Sequence, residues 1–213
     1  MSERLPSAGE EFVNALVHGA ALAAGVAAIP LLFRLTEPIS VSTVTFAGNA
    51  VFAATLVFLY LCSTLYHALP DGRARQVWLR LDHGSIYLFI AGSFTPFATR
   101  SLDTSSEWML LGLVWFVATV GFILKACGRL THSLVSTALY LVMGWVVLAI
   151  AAPMIQRLPQ SGQFWLVAGG IAYTIGVIFF ALDSRIRYAH SVWHGFVVGG
   201  TGCHFLAVLG LHD

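Results

Sequence analysis

The sequence predicts an all-α membrane protein with seven transmembrane helices, its N-terminus cytoplasmic and its C-terminus outside. Three observations predict it. First, 58% of the 213 residues are hydrophobic and only 10% are charged, whereas soluble domains carry roughly a quarter charged residues. Second, seven apolar stretches are each long enough for a helix to cross a bilayer, which takes about 20 residues. Third, Lys and Arg are distributed unevenly between alternate loops, and the cationic side of a membrane protein faces the cytoplasm.

The stretches are residues 12–33, 44–69, 79–99, 108–127, 134–155, 164–182 and 191–211. Six short breaks rich in turn formers or charge separate them: RLTEPIS, PDGRARQ, RSLDTSSE, GRLTHS, QRLPQSGQ and DSRIRYAH. Short connections predict antiparallel neighbours. Continuous apolar runs exclude a transmembrane barrel, whose strands alternate apolar and polar residues. In the third stretch Pro96 predicts a bend, with Ser93 and Thr95 able to satisfy freed carbonyls. In the seventh, Gly195, Gly199 and Gly202 form a small-residue stripe that predicts close helix approach. Trp108, Trp165 and Tyr188, near segment ends, fit an aromatic belt.

The tail and the second, fourth and sixth loops carry Arg4, Arg73, Arg75, Arg80, Lys125, Arg129, Arg185 and Arg187. The other loops carry Arg34, Arg100 and Arg157. The imbalance sets the predicted orientation. No polar stretch is long enough for a second domain, so one membrane domain is expected over residues 1–213. The start, MSERLPSAGEE, does not read as a signal peptide, because two acids follow Arg4 and no short apolar core with a cleavage pattern closes it. No basic stripe points to nucleic acid. Cys62, Cys127 and Cys203 are scattered, without CxxC spacing, and read as small packing residues. His132 and His212 read as loop and terminal residues.

Polar groups at membrane depth are costly and persist when paired, metal-bound or functional. Ser63 and His67 close the second stretch, Asp82 opens the third, and His190 and His194 open the seventh. All lie at ends that the charge pattern assigns to the cytoplasmic side. HSVWH spaces two imidazoles one helical turn apart on one face, about 6 Å along the axis. That spacing suits two ligands on one zinc ion. His67 offers a third nitrogen from another helix. Three histidines with one open position is the arrangement of a catalytic zinc site, whereas structural sites are closed by four protein ligands. Ser63, one turn deeper than His67, could hydrogen-bond to water or to a developing oxyanion. Asp82 could orient that water or take its proton. The alternative reading is a metal-free hydrogen-bond network that pins the second, third and seventh helices together.

Glu11, Asn14 and His18 share a face of the first helix and are expected to form a polar network at the cytoplasmic mouth. His83, rotated about 100° from Asp82, reads as a packing or interfacial residue. His204 lies about 20 Å beyond His190 along the helix, too far for the same ion, and is expected to line a cavity or bond across helices.

Four motifs, EEFVNALVHG (10–19), STLYH (63–67), LDHGSIYLFIAGSFTP (81–96) and HSVWHGFVVGGTGCHF (190–205), occur in order along nearly the whole chain. With them the chain resembles the hemolysin III branch of the adiponectin and progestin receptor family, which is related to alkaline ceramidases. The resemblance implies seven helices with a cytoplasmic N-terminus and zinc held by His67, His190 and His194, with Ser63 and Asp82 nearby. Val17 stands where the hemolysin pattern usually has threonine. The resemblance does not extend to the long N-terminal region of the animal hormone receptors, so hormone sensing does not carry over. The expected function is zinc-dependent hydrolysis of a lipid amide or ester at the cell membrane, with membrane lipids and an acyl-chain substrate as partners and a role in lipid homeostasis. The alternatives are a non-enzymatic membrane-state sensor with structural zinc, cytolysis and proton transfer.

Overall fold

The computed structural model describes residue 4 and residues 6–34, 43–100 and 104–211, except the side chains of 34, 133 and 134. Most of the first and third connections, and His212, lie outside the described residues. The fold is all-helical. In order it contains α1 (Ala8–Arg34), α2 (Thr43–Ala68), α3 (Arg73–Arg100), α4 (Ser105–Ala126), α5 (Ser133–Ile150), the short α6 (Ala152–Ile155), α7 (Gln160–Ala181) and α8 (Ala189–Leu209). There is no strand among the described residues.

Five helices, α1, α2, α4, α7 and α8, are long and apolar enough to cross a membrane. Two long helices are not among these five. α3 has ample length, but its first turns carry Arg73, Arg75, Arg80 and Asp82. α5 stops at Ile150 rather than continuing to residue 155 as its hydropathy predicts. Pro153 explains the break: without an N–H it cannot continue the helical ladder, and the chain re-forms as α6 from Ala152. The outward face is strongly apolar, with Phe12 on α1, Phe116 on α4 and Phe164 on α7 exposed at 66%, 66% and 63%. Exposed aromatic surface on so many helices belongs against lipid.

The most extensive packing joins α2 to α3 and α7 to α8, followed by α1 to α2 and α3 to α4. α1 also packs on α8, which brings the start of the chain against its last helix. α5 leans on α3 and α7 and hardly touches α4, so the short connection does not make α4 and α5 close neighbours. Between α2 and α3 the approach is tight at Gly92, where a Cβ would fall 2.0 Å from the Thr55 hydroxyl. The glycine stripe predicted on the last helix makes no such approach: a Cβ at Gly195, Gly199 or Gly202 would meet nothing within 4 Å. The opposite face does the packing. Gly200 admits the Tyr173 ring, and Gly169 and Gly176 of α7 admit His204 and Trp193. α3 runs on through Pro96 to Arg100, and the Ser93 and Thr95 hydroxyls donate to the Ile90 and Ala91 carbonyls.

One carboxylate ties the start of the chain to the turn before α8. Glu10, 3% exposed, accepts hydrogen bonds from Arg4 at 2.6 and 2.7 Å, from the Ser7 hydroxyl at 2.8 Å and from the Tyr188 backbone N–H at 2.8 Å. Tyr188 takes a left-handed backbone conformation, φ 60°, to present that N–H. Glu10→Ala is expected to lower the melting temperature by roughly 3–8 °C, the loss of a few charge-assisted hydrogen bonds in a chain of this size. Its metal content should match wild type. An unchanged melting curve would show that the clamp contributes nothing.

Candidate metal centre

α2 ends with Ser63 and His67 one turn apart, and α8 opens with His190 and His194 at the same spacing. Because α1 lies between them, touching both helices, these residues converge at one end of the bundle. Ring centroids are 4.7 Å apart for His190 and His194, 4.9 Å for His67 and His194, and 5.3 Å for His67 and His190. One nitrogen from each ring lies within 4.8 Å of the other two, so the three could hold one metal ion. His67 and His194 are buried, at 5% and 2% exposure.

The donor chemistry fits an ion. His67 Nδ1 bonds to Glu11 Oε2 at 2.5 Å, and His67 Nε2 is buried with no hydrogen-bond partner among the described residues. His194 Nδ1 is likewise buried and unpartnered. His190 Nδ1 bonds to Asp183 Oδ2 at 3.0 Å. Buried nitrogens without partners are costly, and carboxylates on the outer nitrogens of two rings are the supports that metal-binding imidazoles use to fix tautomer and orientation. Glu11 also pairs with Arg75, which in turn pairs with Asp71.

Sequence reasoning expects Glu11, Asn14 and His18 to form a polar network at the cytoplasmic mouth; in the structure these three residues lie against the histidine cluster. His18 stacks on His194 with centroids 3.6 Å apart and contacts Ser63 Oγ through Nδ1 at 2.7 Å. Asn14 accepts from the Ser191 hydroxyl at 2.5 Å, between the two histidines of α8. Ser63 and Asp82 are both buried and face one cavity. The Ser63 hydroxyl can accept from His18 Nδ1–H or donate to the unprotonated nitrogen. Asp183 was not singled out from the sequence. It falls in a loop, seven residues before His190, and only its loop neighbours Arg185 and Arg187 drew notice there.

His18, Ser63, Asp82, His190 and His194 line one end of a cavity of about 1430 Å³, open space at its mouth included. The cavity runs between α3, α5, α7 and α8, past Phe89, Phe94 and Leu166, to His204. α5 closes one side of it, its Tyr140 hydroxyl donating to the His83 carbonyl at 2.7 Å. His204, with neither ring nitrogen hydrogen-bonded among the described residues, meets Tyr173 edge-on at 5.4 Å. His83 also faces this cavity, whereas His132 is exposed at the start of α5.

Glu11→Gln keeps the shape but weakens the support under His67. Metal affinity is expected to fall about 10- to 100-fold, measured by competition with a chromogenic chelator. Equal affinity would make Glu11 a partner of Arg75 alone.

Apolar helices that carry three clustered imidazoles define a multi-pass cell-membrane protein with a candidate metal centre. The chain belongs to the haemolysin-III related family, whose family model matches residues 7–205. It is 34% identical to Hemolysin-3 of Bacillus cereus over 200 residues, 94% of this chain and 90% of that protein. It is 34% identical to the Hemolysin-3 homolog of Bacillus subtilis (strain 168), over 94% of this chain and 93% of that one. Similarity extends to the Monocyte to macrophage differentiation factor of Homo sapiens, 25% identical over 95% of this chain and 84% of that protein.

Proposed function

We propose that the protein is a zinc-dependent hydrolase of a lipid amide or ester, with His67, His190 and His194 as the zinc ligands. The observation that carries this reading is a cluster of three imidazoles, two of which line one end of a largely apolar cavity that also presents Asp82 and Ser63. The reading includes seven crossings by α1–α5, α7 and α8 within a single domain, with the site at the cytoplasmic end. The loop-charge imbalance supports that orientation. A bound zinc ion supplies Lewis-acid polarisation of the scissile carbonyl and lowers the pKa of water to about 7.

The chain's own residues do the rest. The cavity holds the acyl chain and positions the carbonyl beside the histidines. Asp82 takes a proton from the attacking water and returns it to the leaving nitrogen or oxygen as the carbonyl–heteroatom bond breaks. Overall, water adds across the bond and yields a fatty acid with an amine or alcohol. Ser63, held by His18, shares the cavity lining with Asp82. The products are lipid signals or building blocks, so the physiological role is adjustment of membrane lipid composition.

The test is incubation of purified, zinc-loaded protein with a panel of lipid amides and esters. Fatty acid release that stops with a chelator and returns with zinc supports the reading. Zinc-loaded protein that cleaves nothing on the panel contradicts it and favours a sensor with structural zinc.

A further inference from the structure

Lys125 is the one cation on α4, and it is 5% exposed. Among the described residues no carboxylate lies within ion-pair distance of it. Its ammonium donates to the Leu130 carbonyl at 2.8 Å and to the Ser136 hydroxyl at 2.9 Å. An ammonium has three N–H donors, so a third remains. A buried ammonium without a counter-charge is expensive.

Its surroundings raise that cost. Ser136 lies in the opening turns of α5, and its hydroxyl bonds back to the His132 carbonyl at 3.1 Å. α5 has no side-chain cap at its N-terminus and no acid in its first turn. A helix N-terminus carries about half a positive charge, so a cation stands beside a positive helix end. His83, Lys125 and Ser136 line the same space, the cavity that reaches the histidine cluster. A buried ammonium with a donor to spare, facing a cavity beside a positive helix end, favours an anion.

We propose that Lys125, with Ser136 beside it, binds the anionic head, phosphate or carboxylate, of a single-chain lipid whose tail lies in the cavity. The inference rests on the hydrolase reading only in assigning the cavity to an acyl chain. It narrows the substrate or product class to anionic lipids. If Lys125 merely tethers the α4–α5 turn, head charge has no influence on binding.

The test compares dodecyl phosphate, dodecanoate and dodecanol, which share one chain length and differ in the head. Binding is measured by calorimetry on the full protein in neutral detergent after chelator treatment, so neither metal nor turnover affects the result. Wild type is expected to bind at least one anion roughly tenfold or more tighter than the alcohol. A phosphate preference assigns a phospholipid-type head, and a carboxylate preference a fatty acid. Lys125→Met should abolish the preference while retaining dodecanol binding. Lys125→Gln, which can still donate to Leu130 and Ser136, serves the same purpose should the Met variant not fold. Equal binding of all three probes by wild type, or a preference that survives removal of the charge, overturns the proposal. Loss of catalysis elsewhere leaves the result intact, so failure of the hydrolase reading and failure of this site are separable.

Discussion

Asp82→Asn is expected to keep the bundle folded and the metal bound while lowering lipid turnover by about two to four orders of magnitude. The substitution changes almost no volume. Asp82 is 8% exposed and lines the cavity. An amide cannot accept a proton from water at neutral pH. Fatty acid release and metal content measured on one preparation separate the outcomes. A variant that loses both has lost its structure. Turnover equal to wild type would assign the proton transfer to another group.

His67→Ala is the second large effect. The side chain contributes one of the three clustered nitrogens and is the partner of Glu11. Its loss leaves two imidazoles on a single helix, and zinc content is expected to fall to less than about a tenth of wild type, since two ligands cannot retain the ion against solvent. Lipid turnover should vanish with it. The melting temperature discriminates between the two roles for zinc. A catalytic ion is held by a bundle that packs without it, because α1 contacts α2 and α8 along an apolar length, including Leu22, Leu56 and Leu59. The expected drop is therefore a few degrees. Complete unfolding of His67→Ala would identify a structural pin and favour the sensor reading.

How far the sequence could be read depended on the kind of physical constraint. The convergence of His67, His190 and His194 was legible because helical spacing places His190 and His194 on one face, and segment ends fix depth. The partners of those rings were not. Glu11 meets His67 only because α1 packs between α2 and α8, and no periodicity encodes which helices touch. Asp183 sits in a loop, where helical phase gives no direction. Lys125 reads in the sequence as one more cytoplasmic charge; its burial depends on the α4–α5 turn and Ser136 closing over its ammonium. The end of α5 was misread because hydropathy is blind to the missing N–H of Pro153. The glycine stripe on α8 failed for a different reason. Small residues permit close approach but do not cause it, and bulky Tyr173 and Trp193 sought the glycines on the other faces.

The account stands on one ion shared by imidazoles from α2 and α8, and elemental analysis tests it most directly. Protein purified in detergent, dialysed against dilute zinc and then freed of loose metal should carry about one zinc per chain. His190→Ala, treated alongside, should carry less than about a tenth of that. Wild type that holds no zinc, or a variant that holds as much as wild type, would contradict the account.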